Sequence, residues 1–99
     1  MKIIKESLVG TLESSDIQIM ILPNKDSGIE IQLKSNVEKQ FGKQIRKVIM
    51  ETLEKLEVKN AKVIATDRGA LDCTIKARLQ CAVYRACGIE GNYDWEVLD

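Results

Sequence analysis

The sequence contains no histidine. The commonest general base is therefore missing, and so is any histidine-containing metal site. Aromatic residues number only four, and acids and bases balance at fifteen each. Base stacking and an electrostatic hold on a phosphate backbone are both poorly supplied, which excludes an ordinary nucleic-acid binder. No apolar run approaches the ~20 residues of a membrane span, and the opening Met1-Lys2-Ile3-Ile4-Lys5-Glu6-Ser7 is charged too early for a signal peptide. The three cysteines, Cys73, Cys81 and Cys87, are odd in number and not spaced like zinc ligands. They fit small apolar residues in a reducing cytoplasm, not a disulfide framework. A self-sufficient enzyme is a poor fit to this composition.

What remains is strongly patterned. The 99 residues suit one domain, 1–99, with an extended arm at 1–7 and an acidic tail at 88–99. Ile17 to Leu22 alternates cleanly, and so does Ile29 to Leu33, with Pro23 to Gly28 as a loop between them. The two predict an antiparallel pair, with Leu8–Glu13 as a third strand of a meander. Ser35-Asn36-Val37-Glu38 has the form of a capping box opening a helix to about Glu57. Val37, Phe41, Ile45, Val48, Ile49, Leu53 and Leu56 give that helix a broad apolar stripe. Lys47–Glu51 and Glu51–Lys55 fall at i,i+4 on its wet side. Gly42 interrupts the helix and would let a neighbouring element approach.

Ala61 to Thr66 is a short strand, followed by a turn at Asp67-Arg68-Gly69. Leu71 to Ala86 alternates like a strand but also carries an i+4 stripe at Leu71, Ile75, Leu79 and Val83. Its length, its alanines and Asp72 at the positive helix end favour a helix. The order (β)ββαβα predicts an α+β fold: a small antiparallel or mixed sheet of three or four strands with two helices packed on one face. Right-handed crossover places Ala61–Thr66 parallel to Ile29–Leu33. The expected core is Ile19, Ile21, Ile31, Phe41, Ile45, Ile49, Leu53, Val63, Ile75, Leu79 and Val83.

Between two strands lies Gly10-Thr11-Leu12-Glu13-Ser14-Ser15-Asp16. Serines and an aspartate at a strand boundary are ordinary turn formers. The same composition puts the Ser14 hydroxyl in solvent, beside a hairpin tip, open to another enzyme.

That block, together with Val37-Glu38-Lys39-Gln40-Phe41-Gly42, Gly69-Ala70-Leu71-Asp72-Cys73, Ala77-Arg78 and Arg85-Ala86, resembles the acyl carrier (gamma) subunit of citrate lyase, a bacterial citrate-fermentation enzyme. The likeness extends to Gly88-Ile89 and Trp95-Glu96. The resemblance implies a non-catalytic carrier with one modified serine, the first of Glu-Ser-Ser-Asp, which is Ser14. Family members can have glycine in place of the second serine.

The implied group is a phosphoribosyl-dephospho-CoA, 2'-(5''-triphosphoribosyl)-3'-dephospho-CoA, joined through a phosphodiester and therefore making a phosphoprotein. Its thiol would carry acetyl and citryl. The implied partners are an alpha subunit that transfers the acyl group, a beta subunit that cleaves citryl to oxaloacetate, and the enzyme that attaches the group. Neither nucleic acid nor membrane is implied. The carrier subunit of malonate decarboxylase is the nearest alternative; a module that only stabilises a larger enzyme is another.

Glu13 and Asp16 would repel the group's phosphates and so do not form a phosphate nest. They fit turn formers, contacts for the attaching enzyme, or solvated charges. Arg68, Lys76, Arg78 and Arg85 fit solvated charges better than phosphate ligands.

Overall fold

The structure, a computed structural model, describes residues 1–88. The acidic tail beyond Gly88, with Tyr93 and Trp95, and the side chain of Glu38 lie outside the described residues. The elements run β1 (Ser7–Val9), β2 (Ile17–Leu22), β3 (Ile29–Ser35), α1 (Glu38–Lys55), β4 (Ala61–Asp67) and α2 (Asp72–Ala86). The α+β order agrees with expectation, and Leu71–Ala86 resolves to a helix.

One pairing does not agree. β2 and β3 do not touch as neighbours; β4 lies between them, and the sheet order is β1-β2-β4-β3. β2 pairs antiparallel with β4, from Ile17 opposite Asp67 to Leu22 opposite Lys62. β3 pairs with β4 in parallel, from Ile29 opposite Ala61 to Ser35 opposite Asp67. β2 and β3 therefore keep opposite directions but stand two strand spacings apart, about 10 Å. The loop 23–28 is long enough to span that gap, and alternation within a strand does not say which strand sits beside it.

β1 pairs antiparallel with β2 over only Ser7 to Val9, so the expected strand to Glu13 stops early. Gly10 is the cause. Its φ is +92°, and a side chain there would collide with the Ile17 carbonyl oxygen. The backbone leaves the sheet at this point and crosses close to the start of β2. Upstream, the arm docks: the Ile4 and Lys5 amides both donate to the Ala86 carbonyl, and Ile3 is buried.

Both helices cover one sheet face. α2 packs on β1 and β2, and α1 packs on β3 and against α2. Ile17, Ile19 and Ile21 from β2, and Ala61, Val63 and Ala65 from β4, face Ile45, Ile49 and Leu53 of α1 and Ile75, Leu79 and Val83 of α2. Ile31 is only half-buried because β3 is an edge strand. Tyr84 is buried as well, its hydroxyl accepting from the Gln80 amide at 3.2 Å.

The capping box does not form at Ser35. α1 begins after Val37, which has no capping side chain. The Ser35 hydroxyl instead accepts from the Val37 amide at 3.1 Å and donates to Asp67 at 2.9 Å. A buried carboxylate across the sheet competes successfully for the serine, since an ionised acceptor makes the stronger hydrogen bond. Phe41 is the other departure. It lies about 40° around the helix from Ile45, on the core-facing stripe, yet it is 47% exposed. Its face is right, but at the first turn of α1 no neighbour covers it.

Candidate functional site

The turn bearing Ser14 occupies the end of the sheet where β2 begins and β4 finishes. The Asp16 amide donates to the Glu13 carbonyl at 3.2 Å, closing a four-residue turn with Ser14 and Ser15 in the middle. Ser15 has φ of +64°, whereas Ser14 keeps negative φ, the type II pattern. The third position of that turn favours glycine. The resemblance allows glycine at this same second serine, and the backbone supplies the reason.

Two bonds fasten the turn to the sheet. The Ser15 amide donates to the Arg68 carbonyl at 2.8 Å, and the Arg68 amide donates to the Asp16 carbonyl at 2.9 Å. Asp16 fastens the rest. Its carboxylate accepts from the Thr11 hydroxyl at 2.6 Å and from the Ile17 amide at 2.7 Å. It also takes a two-pronged bond from the Arg78 guanidinium, at 3.1 Å from Nε and 3.0 Å from Nη2. The Thr11 hydroxyl in turn accepts from the Glu13 amide. Hydrogen bonding from Thr11, aided by the Ile17 amide and Arg78 and opposed by partial burial, holds the Asp16 carboxyl at about 2.

These contacts assign roles to most of the Gly10–Asp16 block. Gly10 permits the close crossing, Thr11 and Asp16 tie the loop shut, and Ser15 makes the bend. Ser14 is left over. It is exposed, and among the described residues no hydrogen bond uses its hydroxyl. Asp16 is thus neither a solvated charge nor a free handle, and Arg78 is not a solvated cation; the two neutralise each other beneath the turn. Neither role was visible in the sequence, because the partners come from opposite ends of the chain and Arg78 shares no local motif with Asp16.

A second turn lies beside the first. Asp67 is buried, and its carboxylate accepts from the Ser35 hydroxyl and from the Gly69 and Ala70 amides at 2.9, 3.1 and 3.0 Å. It shapes the link into α2, which starts at Asp72 as expected. Arg68 stands exposed on that link. Between the link and the first turns of α1 an apolar groove of about 390 Å³ opens, with Phe41 and Leu71 exposed at its sides.

Cys73 is exposed, and Cys81 and Cys87 are half-buried. Burial pushes the Cys87 thiol up, away from the reactive thiolate. Among the described residues no group of histidine, cysteine and carboxylate side chains is placed to hold a metal, and no helix is long and apolar enough to cross a membrane.

An exposed serine with an idle hydroxyl, on a turn braced by the Asp16–Arg78 pair, fits a group held by a covalent bond, not by a binding cleft. The comparisons agree on that class. Residues 4–86 match the family model for the malonate decarboxylase delta subunit (MdcD), an acyl carrier protein model. A chain in the crystal structure of a Pseudomonas malonate decarboxylase hetero-tetramer in complex with malonate shares the fold, with a TM-score of 0.67 over 83% of this chain and 84% of that one, at 16% identity. The family model places the chain among carrier subunits, not catalytic ones.

Sequence relatives are more particular. The citrate lyase acyl carrier protein of Streptococcus mutans serotype c is 57% identical over all of this chain and 96% of its own length. That of Latilactobacillus sakei subsp. sakei is 59% identical over 91% of this chain and 87% of its own. The chain belongs to the citrate lyase acyl carrier protein family.

Proposed function

We propose that this protein is the acyl carrier subunit of a citrate lyase and that Ser14 is its attachment point for a CoA-derived prosthetic group. The observation that carries the second half is the Ser14 hydroxyl itself. It is exposed at the corner of a fastened turn in which Thr11 and Asp16 are bonded to each other and Asp16 to Arg78. The Ser15 hydroxyl is exposed and, among the described residues, unbonded as well, and the family resemblance selects the first serine of the pair. A modifying enzyme needs a nucleophilic oxygen that it can approach without unfolding the carrier, and the corner of a type II turn offers that.

The group implied by the family resemblance, 2'-(5''-triphosphoribosyl)-3'-dephospho-CoA, would supply a thiol on a long arm, carrying acetyl or citryl as a thioester. The chain's own residues do the holding. Ser14 would provide the ester oxygen. Asp16, its charge met by Arg78, adds no net repulsion toward a phosphodiester, and the exposed Arg68 guanidinium lies on the segment bonded to the turn. Covalent tethering keeps the acyl chain at high local concentration near two partner active sites. The partners on this reading are an acyl-transferring alpha subunit and a citryl-cleaving beta subunit, in the cytoplasm.

A peptide map of protein purified from its native host tests the attachment. The added mass should fall on Ser14. Ser14→Ala should fold normally, stay unmodified and give no turnover in the reconstituted complex, whereas Ser15→Ala should still be modified. Added mass on Ser15 or on a cysteine would overturn the assignment. Reconstitution with citrate lyase subunits, compared with malonate decarboxylase subunits, tests the choice of complex.

A further inference from the structure

The groove beside the attachment turn is distinctive in two respects. Its sides continue the apolar stripe of α1, which would have been core had anything covered it. Two of its lining residues, Asp67 and Gly69, also flank the residue that fastens the serine turn. That residue is Arg68, itself outside the lining, which exchanges hydrogen bonds with Ser15 and Asp16. Ser14 is therefore one hydrogen-bonded rung from the groove.

We propose that this groove, formed by Val37, Phe41, Ala70 and Leu71 with Gln44 and Asp72 at its rim, holds the arm attached at Ser14 between deliveries. The inference rests on Ser14 being the attachment point. The occupant is the outer end of that arm, a flexible chain interrupted by amides and ending in a thiol or its acyl ester, while the sugars and phosphates nearer Ser14 stay in solvent outside the groove. A volume of about 390 Å³ lies in the range that houses small molecules, ~300–1,000 Å³.

The chemistry of the walls suits the same occupant. Phe41 and Leu71 offer apolar surface, while the Gln44 amide and the Asp72 carboxylate, bonded to each other at 3.1 Å, place acceptor oxygens at the rim for amide N–H groups. Resting there shields the acyl end from water. The exposure of both hydrophobic walls keeps the hold weak enough for release to a partner site.

The test compares protein loaded in the native host with Ser14→Ala, both labelled with ¹⁵N. Loading should shift the amide signals of Phe41, Ala70 and Leu71 as well as those of the turn at 13–16. Leu71 is 71% exposed, so Leu71→Ser should leave the fold intact. In loaded protein it should erase the shifts at Phe41 and Ala70. It should also speed alkylation of the group's thiol by iodoacetamide about 5-fold, the protection lost if the arm occupies the groove about 80% of the time. Mass analysis of the Ser14 peptide separates this thiol from those of the cysteines.

If the Ser14 peptide carries the group but shifts stay confined to residues 10–16, the arm swings free; the groove proposal is then overturned while the carrier reading stands. If Leu71→Ser leaves alkylation unchanged and weakens binding of a partner subunit, the groove is a protein contact and the proposal is again overturned. If the Ser14 peptide carries no group, the attachment reading fails and the proposal falls with it.

Discussion

Asp16 and Arg78 stand 62 residues apart and meet through two parallel hydrogen bonds of 3.1 and 3.0 Å, directly beneath the serine turn. The planar fork of arginine matches a carboxylate in a way lysine does not. The pair fixes the loop to α2 while Arg68 fixes it to β4.

Breaking that pair should loosen the turn without unfolding the domain. Arg78 is 39% exposed at its side chain, so the pair itself is worth only about 1 kcal/mol. Asp16→Ala should cost more, roughly 1–3 kcal/mol, because it also strands the Thr11 hydroxyl and the Ile17 amide. Urea denaturation of the two single variants and the double variant checks both values. Arg78→Lys should recover less than half of the coupling.

Acid should find the same site. The Asp16 carboxyl sits at about 2 in the folded chain, below its ordinary 3.8. A carboxyl lowered by folding contributes stability above its unfolded value and loses it as pH falls through the folded one. The wild type should lose roughly 2 kcal/mol between about pH 4 and pH 2 that Asp16→Asn does not lose. Parallel denaturation curves over that range, with equal slopes for the two proteins, would argue against it.

Ser15→Gly should stabilise the protein. The left-handed φ of +64° costs an ordinary L-residue about 1–2 kcal/mol, of which the greater unfolded-state freedom of glycine returns a part. A net gain of about 0.5–1 kcal/mol is expected in thermal melts, with Ser14 still modified. Ser15→Val should instead lose more than about 1 kcal/mol, since branching at Cβ resists positive φ.

Leu53 and Phe41 stand on opposite sides of the apolar stripe of α1, about 120° apart, and should respond differently. Leu53 is fully buried, so Leu53→Ala should cost roughly 2–5 kcal/mol. Phe41→Ala should cost under about 1 kcal/mol, because half the ring already meets water. Denaturant midpoints for the two variants separate a core position from a groove wall.

Much of this was legible from local pattern, because local pattern reports what a residue does for its own element. Ile17, Ile19 and Ile21 announced a strand, and Ile45, Ile49 and Leu53 a helix face. Ser14 was singled out by the motif it shares with the family, and its turn by the serines and aspartate that form it. What local pattern does not carry is the neighbour. Alternation in β2 and β3 is the same whether they pair with each other or both with β4. The Ser35 hydroxyl was committed to Asp67, a partner 32 residues away. Phe41 satisfied the period of its helix and lacked only a covering element, a fact of the assembled end of the sheet. Arg78 gave no sign of its partner at all.

β4 joins β2 to β3, and it is made after both. Until the ribosome has delivered Ala61–Asp67, the two earlier strands have no shared edge, and Ser15 has no Arg68 to grip. Until α2 follows, Asp16 has no Arg78. The serine turn closes on its own bonds but is fastened only when the last strand and the last described helix are in place. On the proposed reading, an enzyme that recognises the fastened turn would therefore modify finished molecules and pass over nascent ones.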